Sequence, residues 1–342
     1  MSRLSIKNNP LVLAVLAVAC LLGNATAGAA ELQGSALRPT PLLMPLDYTA
    51  ARAQAWLAAL DKALEHLPPA ANRRLEDLGL DKASVGGTSA LRSLAAGLFP
   101  VDVVTPQISS GQEIRVYLKK PENFTAFSRL AGDADTIAIN ALIILEMEDE
   151  IAALGEAWPK SIDEARVKTT ELEGHASALD TLWQIRQTLA SGQEYDSAYL
   201  ASLAKAAPQS PLVRLLLAEA LLEENMPGEC VEQADAALDL GLSLAGEQSS
   251  VWKFLRPRLR YARAIAQWRL NHLALAENDL DAALLEAKNL PPKNGIKILD
   301  ARGILKMQRR DLAGMCADFA QACSLGNCQN LARARRMGQC GQ

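Results

Sequence analysis

The chain has 342 residues, of which 49% are apolar and only 4% aromatic, and its formal net charge at pH 7 is -4. This length allows one elongated repeat domain or two modest globular domains. The scarcity of aromatic residues disfavours a large β-sandwich core, since strands are enriched in aromatic and β-branched side chains. A mildly acidic chain without a concentrated basic face also argues against nucleic-acid binding, so we expect no nucleic-acid partner.

Residues 1–29 have the pattern of a secretory signal peptide. Arg3 and Lys7 supply a positive start, an apolar run covers residues 11–23, and small residues suited to cleavage follow. Cleavage would remove two basic and no acidic side chains, which leaves a net charge of -6. The apolar run is shorter than the roughly 20 residues of a bilayer span, and no later segment is longer, so we expect no transmembrane span in the mature chain. The predicted destination is the periplasm, and acylation of Cys20 as a lipoprotein is the alternative to plain cleavage.

Residues 30–177 are predicted to form a mainly helical N-terminal region. Apolar spacing, with breaks at Pro and Gly, predicts helices over residues 48–67, 70–79, 89–98 and 138–158, then one from Ser161 towards residue 189. Residues 100–120 differ, because β-branched residues and an alternating pattern predict two short strands there. Two strands alone are marginally stable, so these strands must pack on the helices.

The C-terminal half carries a recurring pattern of small and apolar residues. Residues 299–325 read LDARGILKMQRRDLAGMCADFAQACSL, with Gly303 at a small position, and Ala264 and Ala218 stand at the corresponding positions upstream. The pattern resembles the tetratricopeptide (TPR) repeat, a 34-residue helix–turn–helix unit. The resemblance covers residues 178–325, with repeat spacings of about 33, 46 and 39 residues. Arg310 departs from it, since it replaces the usual turn glycine.

This resemblance implies an all-α fold in which the helical N-terminal region precedes a TPR-like α-solenoid of three to four helix hairpins. Residues 326–342 are then expected to form a C-terminal cap with a capping helix, since the outer face of a terminal repeat has no neighbour. Small residues are needed where stacked hairpins cross closely. The alternative is an irregular helical bundle in which alanine recurs only because the chain is rich in it.

Four of the six cysteines lie in the last 27 residues. An exported protein meets an oxidising compartment, in which disulfides persist. Two antiparallel helices that flank a turn at Gly326 would pair these cysteines in a nested way. Of the three possible connectivities we therefore favour Cys316 with Cys340 and Cys323 with Cys328.

A zinc site and free thiols are the alternatives for these four cysteines. Their spacing lacks the short Cys-x2-Cys knuckles typical of structural zinc, so we expect no metal. The remaining cysteine of the mature chain, Cys230, falls at a small position of a predicted repeat. We expect a buried, unreactive thiol there.

Helix A, the first helix of each TPR-like unit, is expected to line a concave groove. The resemblance places seven side chains on the groove side: Arg258, Tyr261, Trp268, Arg269, Lys297, Asp300 and Met307. Aromatic and arginine side chains are the types that anchor protein interfaces. Trp268 could equally be a core residue, since large aromatics are mostly buried. The last 42 residues carry a net charge of +5, which favours an acidic partner at that end.

No residue pattern in the chain indicates catalysis. The three histidines stand apart from one another and from possible co-ligands, and neither a Gly-x-Ser-x-Gly elbow nor a Walker A loop is present. The acidic run over residues 146–150 is predicted to be a solvated helix face. We therefore predict a scaffold that binds a protein or peptide without catalysis or cofactor. The alternatives are an enzyme with a catalytic N-terminal region and a lipid-anchored envelope assembly subunit; partner identity and oligomeric state stay open.

Overall fold

The structure is a computed structural model. It describes residues 32–36, 44–77, 87–99, 101–107, 113–118, 134–157, 162–191, 195–245, 250–287 and 292–341. The predicted signal peptide and Cys20 lie outside these described residues.

Three strands form an antiparallel sheet in the order β1-β3-β2, with β1 at Leu32–Ala36, β2 at Val101–Gln107 and β3 at Glu113–Leu118. The sequence predicts β2 and β3. It misses β1, because the segment Leu-Gln-Gly-Ser-Ala has no β-branched or aromatic residue. The central strand turns the buried side chains of Val116 and Leu118 towards the helices, which supply the support that the sheet needs.

The helices of the N-terminal region are α1 (Met44–Leu64), α2 (Ala70–Asp77), α3 (Gly87–Leu98), α4 (Ala134–Ala157) and α5 (Ile162–Ser191). Helix α1 covers the sheet, and α4 packs between α3 and α5. The predicted helices are all present. Their observed ends differ from the predicted ones by a few residues, since periodicity marks the buried face better than the caps.

Two tryptophans and two arginines form the contact between α1 and α5. The rings of Trp56 and Trp183 meet edge to face with centroids 5.8 Å apart. The guanidinium of Arg52 lies 4.6 Å from the Trp183 centroid, and that of Arg186 lies 4.6 Å from the Trp56 centroid. Burial lowers the pKa of Arg186 to about 10, which still leaves it charged at neutral pH. These cation–π contacts stabilise both charges in the apolar interface, and Arg52 also pairs with the Asp180 carboxylate at 2.8 Å.

The helices of the C-terminal half are α6 (Ser197–Ala206), α7 (Pro211–Glu223), α8 (Pro227–Ala245), α9 (Ser250–Arg269), α10 (Leu273–Ala287), α11 (Pro292–Gln308), α12 (Leu312–Ser324) and α13 (Gln329–Arg336). Tight turns join α7 to α8, α9 to α10 and α11 to α12, so each of these pairs is a helix hairpin. Ser210 caps α7 and Asp311 caps α12 through hydrogen bonds from backbone N–H groups.

The three hairpin turns share one backbone geometry. Asn225, Asn271 and Arg310 all adopt left-handed conformations, with φ of 61°, 62° and 64°. In each turn this residue donates its N–H to the carbonyl three residues back, and the next residue donates to the carbonyl five residues back. This is a Schellman helix end, repeated three times at equivalent positions. The repetition confirms the predicted TPR-like solenoid over an irregular bundle.

In each hairpin the first helix (α7, α9 or α11) is helix A and the second (α8, α10 or α12) is helix B. The small residues lie where helix A meets helix B, as the repeat requires. Ala218, Ala264 and Gly303 are all buried. A Cβ atom on Gly303 would lie 2.5 Å from the Phe319 ring, so this hairpin needs glycine. In the preceding hairpin the residue equivalent to Phe319 is the smaller Leu280, which leaves room for alanine. The two facing positions are therefore complementary in size.

The C-terminal cap is stapled by two disulfides with the nested connectivity. Cys316 is joined to Cys340 with Cα atoms 5.7 Å apart, and Cys323 to Cys328 with Cα atoms 4.0 Å apart. Together with α13 they cover the end of the last hairpin, whose core includes Met315 and Phe319. Cys230 is fully buried, and burial raises its pKa to about 11, which keeps the thiol protonated.

The prediction of a solvated face for the acidic run is wrong at Glu146. Its side chain is only 4% exposed and accepts hydrogen bonds from the Ser210 hydroxyl at 2.5 Å and the Leu212 N–H at 2.8 Å. Glu146 thus caps the start of α7 from α4, a long-range contact that local periodicity cannot show. Glu150, one turn later on α4, pairs with His175 of α5 at 2.6 Å.

Candidate functional site

A groove of about 550 Å³ lies on the helix A side of the solenoid. Its lining comes from four helices: Thr136 and Ile139 of α4, Glu219, Leu222 and Glu223 of α7, Phe254, Pro257, Arg258, Tyr261 and Ala262 of α9, and Lys297 and Ile298 of α11. Its volume falls in the roughly 300–1,000 Å³ range of ligand sites. Three successive A helices thus form one continuous surface, and α4 contributes to its lining. We call it the helix A groove.

The floor of the helix A groove is apolar and tightly packed. Phe254 and Ala262 are each 2% exposed, Ile298 3% and Ile139 7%. These residues also belong to the buried core, so the floor is set by the packing of the helices themselves. A preformed apolar floor suits the apolar face of a bound segment, because its side chains lose little conformational entropy on binding.

The rim of the helix A groove carries both acidic and basic side chains. Arg258 and Glu219 form a two-bonded ion pair between α9 and α7, with one N–O distance of 2.6 Å. Glu223 and Lys297 are exposed on the rim. The rim therefore favours a partner that carries charges of both signs around an apolar contact face.

Tyr261 brings a phenol into this mostly apolar site. Burial, with a smaller contribution from Asp300, raises its pKa above the ordinary value, so the ring stays neutral. Within the part of the chain that the structure describes, no hydrogen bond engages its hydroxyl. The hydroxyl can therefore donate to or accept from a bound segment.

The structure brings three of the seven predicted groove residues together. Arg258, Tyr261 and Lys297 line the helix A groove. Trp268 instead packs in the core shared by α9, α10 and α11, and its indole N–H donates to the Gln308 side chain at 2.5 Å.

The other three predicted residues hold neighbouring parts of the fold. Arg269 donates to the carbonyl oxygen of Leu222 in the preceding hairpin at 2.5 Å. Asp300 accepts hydrogen bonds from two asparagines of the C-terminal cap, at 2.7 and 2.8 Å. Met307 lies in a second, smaller cleft beside α13.

Sequence reasoning misses the groove residues on α4 and α7. The lining of α7 could have been found by carrying the helix A projection one hairpin upstream. The contribution of Thr136 and Ile139 had no such signal, because α4 lies outside the repeats and reaches the groove only through tertiary packing.

Among the described residues, no group of three or more His, Cys, Asp and Glu side chains is arranged to hold a metal ion. No helix in that part of the chain is both long and apolar enough to cross a bilayer.

These features define a helical-repeat protein with TPR-like hairpins and a groove along its A helices. No protein-family model matches the chain, and no curated protein matches it either. Among solved structures, the crystal structure of the APC/C hetero-tetramer Cut9-Hcn1 is similar at 13% identity and a TM-score of 0.25. That similarity covers 82% of this chain and 67% of the other. At such a TM-score the similarity carries no argument, and the class rests on the repeated turn and crossing geometry described above.

Proposed function

We propose that this protein is an exported scaffold that binds a segment of another protein in the helix A groove. The observation that supports it best is the groove itself, which three successive A helices and α4 build from a buried apolar floor and a charged rim. Helical grooves of this kind bind amphipathic segments through apolar anchors.

The composition of the groove favours binding over chemistry. Catalysis by side chains needs an acid, base or nucleophile held near the reacting atom. The acidic group deepest on the rim, Glu219, is already paired with Arg258. Tyr261, Glu223 and Lys297 remain as polar and charged contacts beside an apolar floor, which is the usual make-up of an interface.

Export is supported by the signal-like residues 1–29 and by the two disulfides of the cap. Disulfides persist in oxidising compartments such as the periplasm. Intact-mass analysis of the natural protein tests this part. A free N-terminus near Ala30 supports signal cleavage, an acylated Cys20 supports the lipid-anchored alternative, and an uncleaved start contradicts export.

The binding proposal is tested by capture from envelope extract with immobilised mature chain, followed by mass spectrometry. The groove variant is Tyr261→Ala with Lys297→Glu. Its matched control is Tyr199→Ala with Lys205→Glu, which makes the same two changes at exposed positions of α6 away from the groove. We expect a defined set of proteins to bind the natural chain and the control, and to be lost from the groove variant. Equal capture by both variants would contradict the use of this groove.

A further inference from the structure

A second cleft lies between the last hairpin and the C-terminal cap. It has a volume of about 170 Å³, and its apolar lining comes from Ile304, Met307, Phe319 and Met337. Met307 is 38% exposed and Met337 59% exposed, although both are large apolar side chains. The volume is below the roughly 300 Å³ of small-molecule sites, so the cleft has room for one apolar side chain. We call it the cap cleft.

The rim of the cap cleft is basic. Arg333 lines it directly, and Arg336 lies one turn along α13 on a neighbouring stripe. Among the described residues, no acidic side chain pairs with Arg333 or Arg336. The other polar side chains of the lining, Asn330 and Gln339, carry no charge.

Other basic side chains of this end are already engaged. Arg302 and Lys306 both pair with Asp318, at 2.6 and 3.0 Å. Arg309 pairs with Glu277. Apart from Arg310 in the turn before α12, the positive charge left for a partner is therefore concentrated on α13, beside the cleft.

We infer that the cap cleft binds an acidic segment of a partner protein, which inserts one apolar side chain between Met307 and Met337 and pairs its carboxylates with Arg333 and Arg336. An apolar anchor flanked by acids matches this cleft in both size and charge, and methionine-lined surfaces adapt to different anchors. The inference rests on the proposed scaffold function but uses a surface separate from the helix A groove.

Selection of peptides on the intact, disulfide-bonded mature chain tests the inference. The probe is a phage-displayed library of random linear peptides, and selected sequences are then synthesised with blocked termini and titrated by fluorescence anisotropy. We expect a single apolar residue among acidic ones. Arg333→Glu should weaken binding by about tenfold or more, as expected when an interface anchor is lost. The matched control, Lys205→Glu on α6, makes the same charge change at an exposed site and should leave binding unchanged.

Methyl NMR of the methionines shows where the peptide binds. Resonances of Met307 and Met337 should shift on titration, and Lys297→Glu in the helix A groove should leave these shifts intact. If selection yields no peptide that depends on Arg333, or only peptides that depend on Lys297, the cap cleft is not a docking site. The latter result would leave the helix A groove proposal standing. Equal Arg333-dependent binding of an oligonucleotide or of anionic phosphatidylglycerol vesicles would show that the site recognises negative charge alone, and would also overturn the inference.

Discussion

The guanidinium of Arg302 donates two parallel hydrogen bonds to the carboxylate of Asp318, at 2.9 and 2.6 Å, across the last hairpin. Arg263 and Asp279 make the same pair in the preceding hairpin, at 2.8 and 2.5 Å. The two carboxylates are only 2% and 4% exposed. Both pairs join residues sixteen apart, so a buried ion pair recurs at one position of the repeat.

Each of these arginines also reaches the preceding hairpin. Arg302 donates to Asp281 at 2.5 Å, and Arg263 pairs with Asp235 in the equivalent way. One guanidinium thus fixes helix A to its own helix B and to the helix B before it. Since an arginine fork satisfies only one relative placement of its acceptors, these contacts set how successive hairpins stack.

Replacement of Arg302 by methionine should destabilise the protein by about 3 kcal/mol, because it leaves the buried Asp318 carboxylate with Lys306 as its remaining cation. Urea unfolding measures the change in free energy of unfolding. Arg336→Met makes the same substitution on the exposed face of α13 and should change stability by less than about 0.5 kcal/mol. Equal effects of the two substitutions would show that the ion pair between Arg302 and Asp318 adds nothing to the free energy of unfolding.

Gly303→Ala should destabilise the last hairpin by about 1–3 kcal/mol, since the new methyl group overlaps the Phe319 ring. Gly174→Ala on α5, where nothing lies within 4 Å of the new Cβ, should instead stabilise by up to about 1 kcal/mol. The double variant Gly303→Ala with Phe319→Leu recreates the Ala264 and Leu280 pair of the preceding hairpin. It should have a smaller loss of melting temperature than the sum of the two single variants. Strict additivity would contradict direct contact as the cause.

Arg310→Gly should stabilise the protein by about 1 kcal/mol. Arg310 adopts φ of 64°, a conformation that costs an L-residue roughly 1–2 kcal/mol and glycine almost nothing. Asn271→Gly is the matched control at the equivalent turn, where asparagine already tolerates this conformation. In thermal unfolding, the melting temperature should rise more for Arg310→Gly than it changes for Asn271→Gly. A fall in melting temperature at Arg310 would mean that its side chain makes contacts that outweigh the backbone strain.

Stability should fall with rising pH because of Glu146. Burial raises its pKa from 4.5 to about 8, against hydrogen bonds that lower it. Between these two values the folded protein holds a proton that the unfolded chain has lost. The free energy of unfolding therefore decreases as pH rises through this window, by on the order of 1 kcal/mol per pH unit.

Glu146→Gln removes this titration and keeps one acceptor for Leu212 and one donor for Ser210. Urea unfolding between about pH 5.5 and pH 8, which lies within that window, measures the free energy of unfolding. We expect this free energy to depend less steeply on pH for Glu146→Gln than for the natural chain. Glu156→Gln, the same substitution at an exposed position of the same helix, is the control and should keep the natural slope. A steeper or unchanged slope in Glu146→Gln would mean that the carboxylate is ionised in the fold.

The two disulfides should contribute unequally to the free energy of unfolding. The bond between Cys316 and Cys340 closes a sequence separation of 24 residues, and that between Cys323 and Cys328 closes only 5. Loop-closure entropy predicts a loss of about 3.5 kcal/mol on removal of the first and about 2 kcal/mol on removal of the second. Paired serine substitutions and denaturant unfolding measure both losses. A larger loss from the short loop would contradict the entropic account.

The sequence by itself determined the helical class, the hairpin repeat and the nested cysteine pairing. These features depend on neighbours close in sequence: apolar spacing, small residues such as Ala264 and Gly303, and helices that return across a short turn. The resemblance to the TPR repeat predicted helix A as the groove-facing helix, and three of the side chains it placed there, Arg258, Tyr261 and Lys297, line the helix A groove.

Only the tertiary structure decided which surfaces the remaining residues form. Strand β1 pairs with a strand far along the chain, Glu146 caps a helix 64 residues away, and α4 completes the helix A groove. The arginine–aspartate pairs likewise join helices whose stacking angle no local pattern specifies. Such contacts depend on how whole helices dock, since the free energy of docking comes from burial shared among many side chains, and no single segment of sequence contains it.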